Sequence, residues 1–172
     1  MRNRAALLGI AAAVTLVVAC GDDNDSTEPN QLATVTYKAT LSGANERPTP
    51  VTTQATGEFI GTYDPNTGLM SYTVTYQNLG SNSTLAHIHC CGSTDQAVGA
   101  LVNFQSFGNV VFVPGVRGGT FNGVILLTPA FAASTTINGD SLRKAMDAGL
   151  TYVNIHSTQF GGGEIRGQIV KQ

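Results

Sequence analysis

The sequence is poor in the residues on which nucleotide-binding and nucleic-acid-binding proteins rely. Its 172 residues contain no tryptophan, three histidines and three cysteines, and 12% of them are charged. Nine Lys and Arg residues face 11 Asp and Glu residues and form no cluster, which disfavours nucleic-acid binding. A glycine-rich phosphate loop before a helix and a serine nucleophile elbow are also missing from the sequence, which argues against nucleotide hydrolysis and serine-based catalysis.

The longest apolar run is too short for a comfortable membrane span, but it suits an export signal. Arg2 and Arg4 precede apolar or small residues over positions 5–19. The run ends in residues 16–20 (LVVAC), which resemble a bacterial lipobox. We predict a lipoprotein signal peptide at 1–19 and Cys20 as the lipidated first residue of the mature protein. The alternative is a simple secretory signal in which Cys20 is incidental.

Residues 21–30 are acidic, small and polar, with no apolar side chain to bury. We therefore predict that residues 20–31 comprise the lipidated cysteine and a flexible tether. Two or more acyl chains would make anchoring stable. Because Gly21 separates Asp22 from the cysteine, an inner-membrane retention signal is not indicated. We expect an exported, lipid-anchored protein of the cell envelope, at the outer membrane or the cell surface.

The remaining residues, 32–172, are one domain's worth of chain. They are rich in Val, Ile, Thr, Tyr and Phe and are interrupted by Gly, Asn and Pro, which predicts an all-β domain. A helix of about two turns is predicted at 141–149, with Asp140 or Ser141 as its N-cap and Gly149 as its terminator. A hairpin turn is predicted at 64–68. The predicted strands before this helix cover residues 34–42, 55–63, 69–79, 85–90, 97–104, 110–113 and 119–128.

All three histidines fall in strand-like segments. Alternation along a strand places His87 and His89 on one face and their aliphatic neighbours on the other. His156 has the same relation to the aliphatic residues beside it. If the aliphatic faces look into the core, the imidazoles lie on the outer face of a sheet. There they could converge on a metal ion, or they could be ordinary surface residues bonded to polar groups of neighbouring strands.

Cys90 and Cys91 are adjacent in sequence. Neighbouring Cα atoms lie about 3.8 Å apart, below the usual range for a disulfide. Two free thiols are nevertheless unusual in an exported protein. One interpretation is a vicinal redox disulfide or a pair of soft metal ligands beside His89. The other is a structural disulfide that rigidifies a tight turn before Gly92.

The closing segment places Glu164, Arg166 and Gln168 on one strand face, which predicts outward-facing polar side chains that flank the candidate site. We interpret Glu164 and Arg166 as a salt bridge or a backbone clamp, and Glu46 as part of a loop fixed by hydrogen bonds. No catalytic residue is assigned.

Four segments carry a family resemblance: residues 41–48 (LSGANERP), 86–89 (AHIH), 149–157 (GLTYVNIHS) and 163–169 (GEIRGQI). In this order they resemble the successive motifs of the CHRD domain, first described in chordin. The resemblance spans nearly all of the predicted domain. The departure is Cys90-Cys91, where many members of the family continue with Gly-Pro, and the double cysteine resembles a bacterial subgroup.

The resemblance implies an immunoglobulin-like antiparallel β-sandwich or barrel, distantly similar to copper-zinc superoxide dismutase, to which the residue pattern adds one short inserted helix. It implies no established activity. The dismutase family has two copper-binding histidines as His-x-His on one strand and another on a late strand, and His87, His89 and His156 resemble these. Arg166 would resemble its active-site arginine. A full dismutase site is absent, because no histidine remains for its bridging position or zinc subsite.

We therefore expect a lipid-anchored, extracytoplasmic CHRD-domain protein that serves as a binding or envelope-structural module. A candidate copper or zinc site lies at His87, His89 and His156. The alternative is a mononuclear copper-dependent redox protein, with water, Cys90 or Cys91 as a further ligand. The expected partners are the membrane, through the lipid anchor, and a protein of the cell envelope. A non-enzymatic role is preferred, and enzymatic activity is left open.

Overall fold

The computed structural model describes residues 31–106, 112–132 and 136–172. Gln31 to Gln172 belong to one compact unit. The predicted signal peptide, Cys20 and nearly all of the predicted tether lie outside the described residues. Within the described ranges, no helix has the length and apolar character needed to cross a membrane.

The described residues form an antiparallel sheet that curls into a half-barrel, together with one α-helix. This confirms the all-β prediction. The helix, α1, spans Gly139–Asp147. The strands are β1 (Val35–Ser42), β2 (Thr56–Asp64), β3 (Leu69–Gln77), β4 (Ser83–Cys90), β5 (Ala100–Asn103), β6 (Gly119–Leu126), β7 (Thr151–Ser157), β8 (Ile165–Gln168) and β9 (Val170–Lys171). The sheet order is β5-β4-β7-β8-β1-β2-β3-β6, and β9 pairs with β1.

The predicted hairpin is present between β2 and β3. Asp64 pairs with Leu69, and all nine residues of each strand follow in register. The Asp64 side chain accepts a hydrogen bond of 2.8 Å from the backbone N–H of Asn66, which fixes the turn. Gly68 closes the turn with a φ of 73°, a conformation that residues with a Cβ rarely adopt.

The core lies on the inner face of the curled sheet. Buried and exposed residues alternate along all of β3, as expected for a strand with one face in water. Aromatic rings from distant strands meet inside: Tyr72 lies 5.0 Å from Phe104 and 6.3 Å from Phe59, centroid to centroid. Each such ring contributes about 2–3 kcal/mol through the apolar area that it removes from water.

Strands β4 and β7 differ from β3 because both of their faces are buried. Ala86 and Ile88 point into the core, as predicted, and the polar side chains lie on the opposite face. That outer face is covered by connecting segments, so Arg166 is only 2% exposed and Glu164 is fully buried. These polar residues were predicted on the outward strand face, but they are not exposed to water there, because residues 53, 93 and 96 of connecting segments bond to them from above the sheet.

Several element boundaries differ from the predictions by two residues, among them both ends of α1, which spans Gly139–Asp147, and larger differences occur elsewhere. The N-cap of α1 is Asn138, not Asp140 or Ser141: its side chain accepts the backbone N–H of Ser141, and Asp140 instead pairs with basic residues one turn later. Strand β5 (Ala100–Asn103) is shorter than the predicted 97–104, and Val98 before it bonds to the side chains of Tyr152 and His89 instead of a neighbouring strand. In the predicted strand at 110–113, residues 112 and 113 are not in a strand, and the first two residues lie outside the described ranges.

Candidate metal centre

His87, His89 and His156 come together on the outer face of β4 and β7. These strands are antiparallel neighbours, and their register sets His87 opposite Asn154, two residues before the third histidine. One nitrogen from each of the three rings lies within 4.8 Å of the others. Each histidine is only 7–8% exposed. Among the described residues, this is the group of His, Cys, Asp or Glu side chains that is close enough to hold a metal ion.

The hydrogen bonds around the rings assign which nitrogens carry protons. His156 Nδ1 lies 3.0 Å from the carbonyl oxygen of Gly161, and His89 Nδ1 lies 2.8 Å from that of Val98. A carbonyl oxygen only accepts, so both Nδ1 atoms carry hydrogen and both Nε2 atoms present a lone pair. His87 Nδ1 lies 3.1 Å from His156 Nε2 and donates to it.

The nitrogen set fits a borderline-soft transition metal. His89 Nε2 is buried, presents a lone pair and has no hydrogen-bond partner. Two nitrogens bound to one ion at about 2.0–2.1 Å each can lie at most about 4.1 Å apart. A set that spans up to 4.8 Å would close around an ion through ring movements of less than about 1 Å. Three imidazoles without a carboxylate suit copper or zinc better than magnesium or calcium.

Burial keeps these rings neutral. Removal from water, together with the neighbouring imidazoles, lowers the pKa of His87 from 6.5 to about 4. Burial likewise lowers the pKa of His89 to about 4, with the Val98 carbonyl acting in the opposite direction. Burial also lowers the pKa of His156. At neutral pH the three rings are therefore in the unprotonated state that metal binding requires.

Two side chains hold the loop that orients His89. The Tyr152 hydroxyl donates to the carbonyl oxygen of Val98 and accepts from its N–H, both at 3.0 Å. The guanidinium of Arg166 lies 3.5 Å from the centre of the Tyr152 ring and donates to the carbonyls of Gln96 and Ser93. The Val98 carbonyl is therefore fixed in place to set the tautomer of the histidine, as outer-shell partners of metal ligands commonly do.

Arg166 is a backbone clamp, which is one of the two roles considered for it. The ion pairs found among the described residues all surround α1 or the end of β9, and none involves Arg166 or Glu164. Glu164 instead accepts hydrogen bonds from Thr53, Ser157 and the N–H of Gly80, at 2.5 to 2.7 Å. This carboxylate holds three segments together, and none of these three bonds goes to a histidine.

Cys90 and Cys91 are joined in a vicinal disulfide. Both sulfurs are bonded to each other, so neither is a thiolate ligand in this state. Cys90 packs against the core, on the side of β4 opposite His89, because successive strand residues point to opposite faces. The next residue, Gly92, donates its N–H to the carbonyl of Leu150 at 2.8 Å, which fixes the turn after the disulfide.

Sequence reasoning did not connect Glu46 to the histidine face. The side chain is 3% exposed, and its Oε2 accepts a hydrogen bond of 3.2 Å from Asn154 Nδ2. Burial raises the pKa of Glu46 from 4.5 to about 7, although the Asn154 bond and the positive charge of Arg166 act in the opposite direction. The available signal was the alternation of β7, which places Asn154 on the same face as His156.

The residues of this site lie within a segment that matches a known domain family. A family model for the CHRD domain matches residues 37–169. Comparison with curated proteins and with solved structures finds no significant match. The matched segment covers well over half of the 172 residues and includes all three histidines. This chain belongs to the CHRD-domain family.

Proposed function

We propose that this CHRD-domain protein binds one copper or zinc ion through His87, His89 and His156. The main support for this proposal is that nitrogens of three buried imidazole rings converge. One of them, His89 Nε2, has no hydrogen-bond partner. Leaving a buried polar atom unpaired costs about 1–3 kcal/mol. A metal ion would remove this cost, since it takes the lone pair directly.

A purely structural role accounts for part of the cluster. The bond between His87 and His156 and the two carbonyl contacts satisfy four of the six ring nitrogens. That role leaves the remaining lone pair of His89 unexplained. It also leaves unexplained why three imidazoles are buried side by side, since the single hydrogen bond between two of them replaces only part of the hydration that the three rings lose. Metal binding explains both features with the same atoms.

Three protein ligands would leave a coordination position for water or for an atom of a partner. Neutral imidazoles suit both oxidation states of copper, so a mononuclear copper redox protein is the second candidate function. It is favoured by the absence of a carboxylate from the ligand group. Zinc would give a binding or structural module without redox chemistry, and metal identity therefore separates the two candidates.

The cellular setting is part of the same proposal. The lipobox-like residues before Cys20 support an exported protein held at the membrane by acyl chains. The tether that follows would let the domain extend from the membrane surface and reach a protein partner in the envelope. Mass spectrometry of the mature N-terminus tests the anchor, since an acylated Cys20 is expected and an unmodified terminus at another residue contradicts it.

Metal content of the purified full-length protein tests the site. We would express it in an envelope supplied with copper and zinc and compare wild type with His89→Ala by elemental mass spectrometry. Asn122→Ala is the matched control, because Asn122 is exposed on the outer face of β6. We expect near-stoichiometric metal in wild type and in the control, and loss in His89→Ala. Wild type that stays metal-free after exposure to both ions overturns the proposal.

A further inference from the structure

Glu46 and Asn154 are a second pair of buried groups with incomplete hydrogen bonding. Both side chains are 3% exposed. One bond joins them, from Asn154 Nδ2 to Glu46 Oε2. The other two atoms, Glu46 Oε1 and Asn154 Oδ1, are buried without a partner. Both are oxygen acceptors, so neither can bond to the other unless one carries a proton.

Gly163 closes the open side of this pair. A Cβ at this position would lie 2.5 Å from Asn154 Oδ1 and 2.8 Å from Glu46 Oε1. The two unpartnered oxygens therefore face the same Cα, whose φ of 130° suits glycine. No side chain can be placed between them and this backbone. The missing partner must be small, and a single proton is the smallest that satisfies both oxygens.

We propose that Glu46 keeps its proton up to about neutral pH and forms a cyclic acid–amide pair with Asn154. Its Oε1–H donates to Asn154 Oδ1, while Asn154 Nδ2 donates to Oε2. One proton then satisfies both orphaned oxygens through two antiparallel hydrogen bonds. The pair makes Glu46 a positioning residue for the histidine site. This role rests on the proposed metal-binding function, whereas the pair itself does not.

The positive charges near Glu46 are not strong enough to ionise its carboxyl. The cations that act on Glu46 are Arg47 of its own segment and Arg166 of β8. Arg166 is directed to the carbonyls of residues 93 and 96, and Arg47 donates to backbone carbonyls of residues 44 and 46. Neither forms an ion pair with the Glu46 carboxyl among the described residues. Burial outweighs these charges, the Asn154 bond and a backbone interaction from Arg47, and it raises the pKa of Glu46 to about 7.

The pair is placed to act on the histidines through the glycine segment. Asn154 pairs with His87 across β4 and β7. Gly163 packs on the pair, and Gly161, two residues earlier, holds His156 Nδ1 through its carbonyl. If Glu46 ionised, its Oε1 and Asn154 Oδ1 would both be hydrogen-bond acceptors with no proton between them, so they would repel each other. The glycine segment would then lose its support, and His156 would be held less firmly.

The test follows the carboxyl and the metal separately in the full-length protein. Carbon-13 NMR of the Glu46 carboxyl in metal-free protein reports its protonation between pH 5 and pH 9. Release of zinc to a chelator is measured across the same range. The variants are Glu46→Gln and Asn154→Leu, with circular dichroism as a check on folding. Glu46→Gln preserves both hydrogen bonds, because its amide N–H replaces the acid O–H, but it cannot ionise.

We expect the wild-type carboxyl to be protonated at pH 6 and to ionise near neutral pH. Zinc release should accelerate several-fold over the same interval. In Glu46→Gln it should stay slow at every pH, and in Asn154→Leu it should be fast throughout. If Glu46 had only a structural role, zinc release from the wild type would not depend on pH in this way. The substitution Glu46→Gln would then have no pH dependence to abolish.

Two results overturn the inference. If the Glu46 carboxyl is already ionised at pH 6, the acid–amide pair does not exist. If Glu46→Gln keeps the wild-type pH profile of zinc release, Glu46 does not position the histidine site. Failure of the proposed function is recognised differently, since the wild type then binds no metal at any pH. The carboxyl titration in metal-free protein still decides whether the pair exists.

Discussion

The imidazole of His89 lies face to face with the ring of Tyr152, with centroids 4.6 Å apart and planes 9° from parallel. The guanidinium of Arg166 lies over the same ring, 3.5 Å from its centre. These two contacts connect a histidine of β4 to the arginine of β8 through the tyrosine of β7. Because the tyrosine hydroxyl also bonds to Val98, one side chain sets both the ring plane and the position of the carbonyl that orients His89.

The hydroxyl and the ring of Tyr152 should have separable effects. Tyr152→Phe keeps the ring stacked on His89 but removes the two hydrogen bonds between the Tyr152 hydroxyl and Val98. We therefore expect zinc affinity to fall by about tenfold. Tyr152→Leu also loses the stack and should lower the affinity further. Competition with a chelator measures both. Tyr37→Phe is the control, because it removes a hydroxyl that bonds to Asp147 instead. Equal affinities in Tyr152→Phe and wild type would show that the tyrosine does not position the site.

Loss of the Glu164 carboxylate should destabilise the domain strongly. In Glu164→Ala, the Thr53 and Ser157 hydroxyls and the Gly80 N–H lose their acceptor in a buried place. Hydrogen bonds to a charged group contribute about 1.5–3 kcal/mol each, and the effects of neighbours do not add fully. We expect the free energy of unfolding to fall by about 3 kcal/mol or more in urea denaturation.

Glu58→Ala provides the matched control for the Glu164 substitution. Glu58 is exposed on β2, and replacement of exposed residues away from special features usually changes stability by less than about 0.5 kcal/mol. If both variants unfolded at the same urea concentration, the three hydrogen bonds of Glu164 would contribute nothing measurable.

The strand pattern predicted where the histidines lie, and the reason is geometric. Alternation has a period of two, so the residues of β4 and β7 must be divided between two faces once one face is aliphatic. The hairpin of β2 and β3 was predictable for a similar reason, since the chemistry of the turn and the alternating strands agree. These features depend on residues that are close together in sequence.

The segments that cover the histidines could not be predicted in the same way. Val98 and Gly161 act through their carbonyl oxygens, and every residue has one, so no side-chain pattern marks them. Glu46 reaches Asn154 across 108 positions of sequence. Burial of the outer face depends on where such distant segments settle, and a single sequence contains no local signal for it.

The stability of metal-free protein should depend on pH through Glu46. Its pKa in the folded protein, about 7, lies above the ordinary value of 4.5. The unfolded chain therefore releases this proton first as pH rises, so the contribution is fully present below about pH 4.5 and is lost as pH rises through about 7. The difference between these two pKa values corresponds to about 3 kcal/mol.

Urea denaturation of wild type and Glu46→Gln at pH 5 and pH 8 measures this contribution. Glutamine does not titrate, so we expect the difference in free energy of unfolding to change in favour of the variant at pH 8. A difference that is the same at both pH values would place the Glu46 pKa in its usual range.

The vicinal disulfide should be dispensable for metal binding. Cys90 packs on the core side of β4, whereas His89 lies on the outer face. We expect a protein with Cys90→Ser and Cys91→Ser to keep the wild-type zinc stoichiometry, measured by elemental mass spectrometry on folded protein. His89→Ala, in which the disulfide is intact, should lose its metal. Loss of metal in the serine variant would instead support the cysteines as ligands.

Metal should stabilise the fold in a manner that depends on His156. A ligand that binds only the folded state adds about 2.7 kcal/mol when its concentration is one hundred times its dissociation constant. Zinc should therefore raise the melting temperature of wild type, and a chelator should reverse the effect. In His156→Ala the increase should be absent, because one of the three nitrogens is missing and His87 also loses its hydrogen-bond partner.

Calorimetry with and without zinc measures this effect, and Thr73→Ala serves as the control on the exposed face of β3. The control should show the wild-type increase in melting temperature. An increase of the same size in His156→Ala would mean that zinc binds elsewhere on the protein. Because the metal-free His156→Ala melting temperature is recorded in the same series, any loss of intrinsic stability is separated from the loss of metal binding.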